Sequence, residues 1–175
     1  MDWRERHADK VASAEEAAAL VKSGNPAFEL YDFTHTDDLQ VLLQLENFTS
    51  INNALMIDLT GQVTAETIGP RVYSGSGGQT VFAIASSYAR DGHCITVMPS
   101  TSAVKGEKRS RVVPMLEPGT AITVPRTFVN HVVTEYGIAT LGGKSLKERA
   151  QEMIAVADPD FRAELKGEAA RMGLA

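Results

Sequence analysis

His131 to Leu165 reads HVVTEYGIATLGGKSLKERAQEMIAVADPDFRAEL. Its first third is rich in β-branched residues, and a strand is predicted within HVVTEYGIATL. From Lys144 the pattern changes: Leu146, Ala150, Met153, Ile154 and Ala157 fall on one helical face. Asp158 then stands as a cap with Pro159 at the first helical position, opening a second helix through DFRAELKGEAARMG. A β-run followed by an amphipathic helix predicts a sheet with the last two helices packed on one face.

The chain upstream supports the same class. HCITVMP, RVVPML and TAITVP each predict a short strand, the last two separated by the turn signal EPG. QTVFAIASSYARDG predicts a buried helix closed by Asp91-Gly92, and Thr49–Leu59 predicts a strand that stops before Gly61. DDLQVLLQLE, Asp37 to Glu46, predicts a short helix with acids at its positive end. Ser13 and Glu16 form a capping-box pattern, and Gly24 with Asn25-Pro26 ends the Ala-rich run behind them. The expected organisation is a helical segment over 1–24 and an α/β domain over 25–175, its open sheet mixed or mostly parallel with flanking helices.

With 43% hydrophobic and 22% charged residues, the 175-residue chain has the composition of a soluble folded protein of one main domain. A net charge of −5 argues against nucleic acid as the main partner. The local cluster Lys105, Lys108, Arg109 and Arg111 can still meet an anion. The single cysteine, Cys94, excludes an internal disulfide and fits a reducing compartment. The start MDWRERHADK carries no apolar core, and no run approaches the roughly 18–20 residues that span a bilayer. A cytoplasmic protein without membrane contact is expected.

One stretch is unusual. YSGSGGQT, Tyr73 to Thr80, places three glycines and three small hydroxyl residues in eight positions, between a strand region and a helix. Backbone N–H groups there, backed by the helix start, can hold a phosphate or oxyanion. Gly77 and Gly78 permit close approach, and Ser74, Ser76 and Gln79 add hydrogen bonds. The pattern is neither a dinucleotide fingerprint nor a P-loop, so a tight structural turn remains the alternative. KGEKRSR, Lys105 to Arg111, offers cations on a loop, or simply a solvated face. Glu66, Glu107 and Glu135 lie near glycines, where a tuned carboxylate can act as nucleophile or base and an ordinary one does neither. His35, His93 and His131 lack metal-ligand spacing, and His131 and Cys94 read as structural and buried. No metal site and no GxSxG elbow are found.

HVVTEYGIATLGGKSLKERAQEMIAVADPDFRAEL resembles the C-terminal signature of the acetyl-CoA hydrolase/transferase family, whose members include 4-hydroxybutyrate CoA-transferases. The similarity continues through SRVVPMLEPGTAITVPRT, YSGSGGQ, INNALMIDLTGQVTAETIG and NPAFELYDF, covering about Asn25 to Leu165 in order. The resemblance implies one half of a two-half α/β architecture with a catalytic cleft between the halves. It implies coenzyme A or acyl-CoA as ligand, held by Ser74, Gly77 and Gly78, with Gly75 and Ser76 in the same loop, and by Lys105. Val81-Phe82 departs from the aspartate-phenylalanine that family members often carry after the loop.

The family's nucleophile is a glutamate upstream of the segment similar to NPAFELY. It attacks the acyl-CoA carbonyl, giving an acyl-glutamyl anhydride and CoA thiolate; the thiolate then gives a glutamyl-CoA thioester, from which a second acid leaves with CoA. That upstream region has no counterpart here, and 1–24 resembles a family N-terminus joined directly to the C-terminal half. The expectation is therefore a CoA-binding chain with no catalytic residue of its own, as a homodimer or beside a complementary half. The alternatives are a subunit completed by another chain and a structural remnant without ligand.

Overall fold

The computed structural model describes residues 31–175. The helix expected around Ser13–Lys22, and with it the 1–24 segment, lies outside the described residues. Two helical turns, α1 (Phe33–Thr36) and α2 (Leu39–Leu42), come first. The longer helix expected over Asp37–Glu46 is thus only one turn, capped by Asp38, whose carboxylate accepts from Gln40 N at 2.7 Å.

The main sheet is mixed: β1 (Thr49–Asn53), β6 (His93–Val97) and β10 (His131–Thr134) run parallel, and β11 (Gly137–Thr140) pairs antiparallel with β10. Register decides its two faces. Ser50, Cys94, Thr96, Val132 and Ala139 are buried, while Ile51 and Ile138 on the opposite face are each 66% exposed. The buried face meets α3 (Gln79–Tyr88) and α4 (Leu146–Val156). Ser50 and Ser86 bridge sheet and α3 through their hydroxyls at 2.9 Å. α5 (Pro159–Arg171) packs on α4 and adds Leu165 and Ala169 to the core.

The expected C-terminal pattern is present. Ala150, Met153, Ile154 and Ala157 are buried, although Leu146 is 41% exposed. Asp158 caps α5 with Pro159 at its start. HVVTEYGIATL forms two strands rather than one, turning between Thr134 and Gly137.

Three other expectations are corrected. The single strand over Thr49–Leu59 divides, because the chain leaves the main sheet at Ala54: β2 (Met56–Asp58) pairs with β3 (Val63–Thr64) and β9 (Val112–Val113) in a second sheet. RVVPML contributes only those two valines, since Pro114 has no N–H for the ladder. TAITVP forms no strand: Val124 makes one isolated bridge to Val63, and Thr123 spends its hydroxyl accepting from Ala65 N at 2.9 Å. Two small antiparallel pairs complete the fold, β4 (Thr67–Ile68) with β5 (Arg71–Val72) and β7 (Thr101–Val104) with β8 (Glu107–Ser110). KGEKRSR is therefore largely a hairpin arm rather than a loop.

Buried Arg149 ties α4 to the second sheet's turn, donating to Arg126 O at 2.7 Å and Thr60 O at 3.3 Å. Burial lowers its pKa, and neighbouring Arg126 adds to the shift. Among the described residues, no helix is long and apolar enough to cross a membrane.

Candidate functional site

The glycine loop leaves β5 and ends at Gly78, the N-cap of α3. Its entry is fixed by main chain: Tyr73 N and Ser74 N both donate to Glu66 O, at 2.8 and 3.1 Å. Its exit is fixed by side chains from α3: Gln79 Nε2 donates to Asn53 O at 3.2 Å, and Thr80 Oγ1 to Thr123 O at 2.5 Å. Asn53 is the last residue of β1, so the loop stands at the carboxyl ends of the parallel strands. Open α/β sheets bind their ligands there.

The three glycines serve different needs. A Cβ at Gly75 or Gly77 would meet no heavy atom within 4 Å, and neither residue has a positive φ. Neither conformation nor a neighbour within the described chain demands glycine at these two positions. Both line a cleft of about 280 Å³ with Ser74, Gly78, Glu66 and Asn52. Gly78 differs: a Cβ there would collide with Asp37 Oδ2 and come within 2.7 Å of Phe82 Cε2. Ser76 is exposed, and its neighbours Gly75 and Gly77, not Ser76 itself, form the described wall of the cleft.

The electrostatics of this cleft are not those of a simple phosphate cradle. The first-turn amides of α3 have no acceptors within the helix, and Gly78 supplies no capping side chain. Asp37 brings a carboxylate beside that helix start, its Oδ2 buried and unpartnered among the described residues. Glu66 stands in the wall. Two nearby carboxylates oppose a phosphate but leave the amides free for a neutral carbonyl.

The cations are gathered next door. Lys105 and Gly106 form the two-residue turn of the β7–β8 hairpin, both with positive φ, at 53° and 84°. That is the backbone of a primed hairpin turn, uncommon for lysine. A second cleft of about 210 Å³ lies between this arm and the loop entry, lined by Tyr73, Ser102, Val104, Arg109, Arg111 and Glu117 among others. Arg71 stacks over the Tyr73 ring at 5.0 Å. Lys105 is at the tip and not in the described wall of either cleft. The structure thus brings Ser74, Gly75, Gly77 and Gly78 into one wall and places Ser76 and Lys105 outside it.

The other candidates resolve individually. Glu135 Oε2 accepts from Ser100 N at 2.8 Å and Oε1 from Ser100 Oγ at 2.5 Å. The Ser100 hydroxyl is the main cause of its lowered pKa. Both oxygens are engaged in joining the end of β6 to the end of β10. Glu107 pairs with Arg109 at 3.2 Å. His93 and His131, far apart in sequence, sit on adjacent strands with ring centroids 5.5 Å apart. Burial lowers the His131 pKa, and His93 lowers it further. Cys94 is buried, and burial raises its thiol pKa. Among the described residues no three His, Cys, Asp or Glu gather as a metal site.

Asn52, Thr123 and Asp37 escape a reading of the sequence alone, and Phe82 enters it only within the Val81-Phe82 pair that follows the loop. The paired asparagines near the end of a β-run were the one visible signal; Thr123 and Asp37 reach the loop only through tertiary structure.

Comparison with known proteins gives a consistent result. The model of the acetyl-CoA hydrolase/transferase C-terminal domain matches residues 15–169. A probable butyrate:acetyl-CoA coenzyme A-transferase of Syntrophomonas wolfei is 44% identical over 150 residues, covering 86% of this chain and 34% of that protein. The solved structure of RipA from Yersinia pestis superimposes with a TM-score of 0.72 at 38% identity, over 81% of this chain and 31% of that one. A 4-hydroxybutyrate CoA-transferase structure from Porphyromonas gingivalis gives 0.67 at 32% identity, over 91% and 35%. The chain spans about a third of the length of the curated relatives it matches.

Proposed function

Because the chain belongs to the acetyl-CoA hydrolase/transferase family through its C-terminal domain, we propose that it binds coenzyme A or an acyl-CoA across the glycine loop and the basic hairpin. The observation that carries this reading is the pair Gly75 and Gly77, bare backbone in a cleft wall where nothing in the described chain requires glycine. The pantetheine arm, neutral and amide-bearing, suits the carboxylate-flanked cleft beside α3. The phosphates suit the neighbouring arm, where Lys105, Arg109 and Arg111 supply charge.

The reading assigns no nucleophile to this chain. Glu135 spends both carboxylate oxygens on Ser100, and Glu66 does not fall at the position the resemblance gives the nucleophile. The acyl-transfer cycle then needs a carboxylate from other sequence, and the partner is a complementary half or a second copy meeting the open sheet face. A parallel sheet is ordinarily covered on both faces, and here Ile51 and Ile138 are not.

Calorimetric titration with CoA tests the reading. The wild-type chain binds measurably; Lys105→Ala loses roughly 1–3 kcal/mol of affinity, a loss that shrinks as salt screens the contact. No binding at millimolar CoA removes the ligand and leaves a structural remnant.

A further inference from the structure

The β7–β8 hairpin pairs with no other strand among the described residues, and Ala103 to Arg109 are all exposed. A lone two-stranded hairpin is marginally stable in water. Its base is secured by main chain, with Arg111 N donating to Ser100 O at 2.8 Å and Ile57 N to Arg111 O at 3.0 Å. Towards the tip the tether is electrostatic. Lys108 Nζ lies 2.7 Å from Asp158 Oδ2 and 2.8 Å from Asp160 Oδ2, and 5.9 Å from the centroid of Phe161.

This differs from an ordinary surface ion pair. Asp158 is only 3% exposed and also caps α5, accepting from Asp160 N at 3.0 Å and Tyr136 Oη at 3.1 Å. One end of the latch is therefore rigid. The hydrogen bonds that Lys108 donates to the Asp158 and Asp160 carboxylates raise its pKa further above neutrality, and the ammonium stays charged. With two carboxylates beside it, Lys108 is not itself a free cation for a ligand.

We propose that Lys108 is a positioning residue: its ion pairs with Asp158 and Asp160 hold the hairpin arm so that Lys105 at the tip meets the phosphates of a CoA thioester. The inference rests on the CoA reading above. Lys108 acts through the arm, so its removal costs affinity only while Lys105 is there to be placed.

The test combines CoA titration with amide hydrogen exchange of the whole chain, for wild type, Lys108→Ala, Lys108→Arg, Asp160→Asn and the double variant Lys105→Ala/Lys108→Ala. Lys108→Ala is expected to weaken CoA binding about three- to tenfold, as for an indirect ionic contact. It should also speed exchange over 103–108 while 146–171 keep their protection. Lys108→Arg should restore most of the affinity. Asp160→Asn, which leaves the buried cap intact, should cost about two- to threefold. In the Lys105→Ala background, Lys108→Ala should add less than about twofold, the mark of coupled residues. A wild type that binds and a Lys108→Ala variant that matches it overturn the positioning role alone. An undiminished loss in the Lys105→Ala background does the same, as does faster exchange throughout 146–171. A wild type that binds no CoA overturns the functional reading and the positioning role together.

Discussion

At Gly77 a valine side chain meets open cleft, whereas at Gly78 it meets Asp37 and Phe82. The two substitutions should therefore separate binding from folding. Gly77→Val is expected to leave the melting temperature nearly unchanged and weaken CoA binding at least about tenfold, by occupying the ligand's path. Gly78→Val should destabilise by about 1–3 kcal/mol with or without CoA, as overpacking does. Thermal melts with paired titrations check both. Glu135 has a different signature. Its folded pKa lies below the ordinary glutamate value, so its stabilising contribution is complete above about pH 4.3 and fades as pH falls through the folded value. Urea melts at neutral and acid pH should show the gap between wild type and Glu135→Gln closing towards pH 3.

Among the elements, α4 has the clearest local code. Ser145 accepts from Glu148 N while the Glu148 carboxylate accepts from Ser145 N, a complete capping box. Ser145→Ala should cost about 0.5–2 kcal/mol in denaturant unfolding. Elements of this kind were legible in the sequence. Met153, Ile154 and Ala157 show their face through helical period, Asp158-Pro159 marks the start of α5, and HCITV is a β-run of sufficient length. The two-residue strands β3, β4 and β5 were not, because two residues carry no period, and β9 was read within RVVPML but too long. The site divides along the same line. The loop announced itself by composition, and Lys105 by resemblance. Gly78's contact with Asp37 and the latch from Lys108 to Asp158 join residues about 40 to 50 positions apart, which no local pattern reveals.

For the molecule as a whole, the proposal is that this domain holds CoA while the chemistry of transfer needs a second component. Incubating the chain with acetyl-CoA and butyrate should yield no exchange and no borohydride-sensitive glutamyl thioester. Such a thioester on Glu135 or Glu66 would place the nucleophile inside this domain after all. The central claim, that CoA lies along the glycine loop and reaches the hairpin tip, is tested most directly by following backbone amide shifts during a CoA titration of isotopically labelled protein. The account predicts saturable shifts over 73–80 and at Lys105 and Gly106, with the amides of 159–171 still. Shifts confined to the far helices, or none at millimolar CoA, would contradict it.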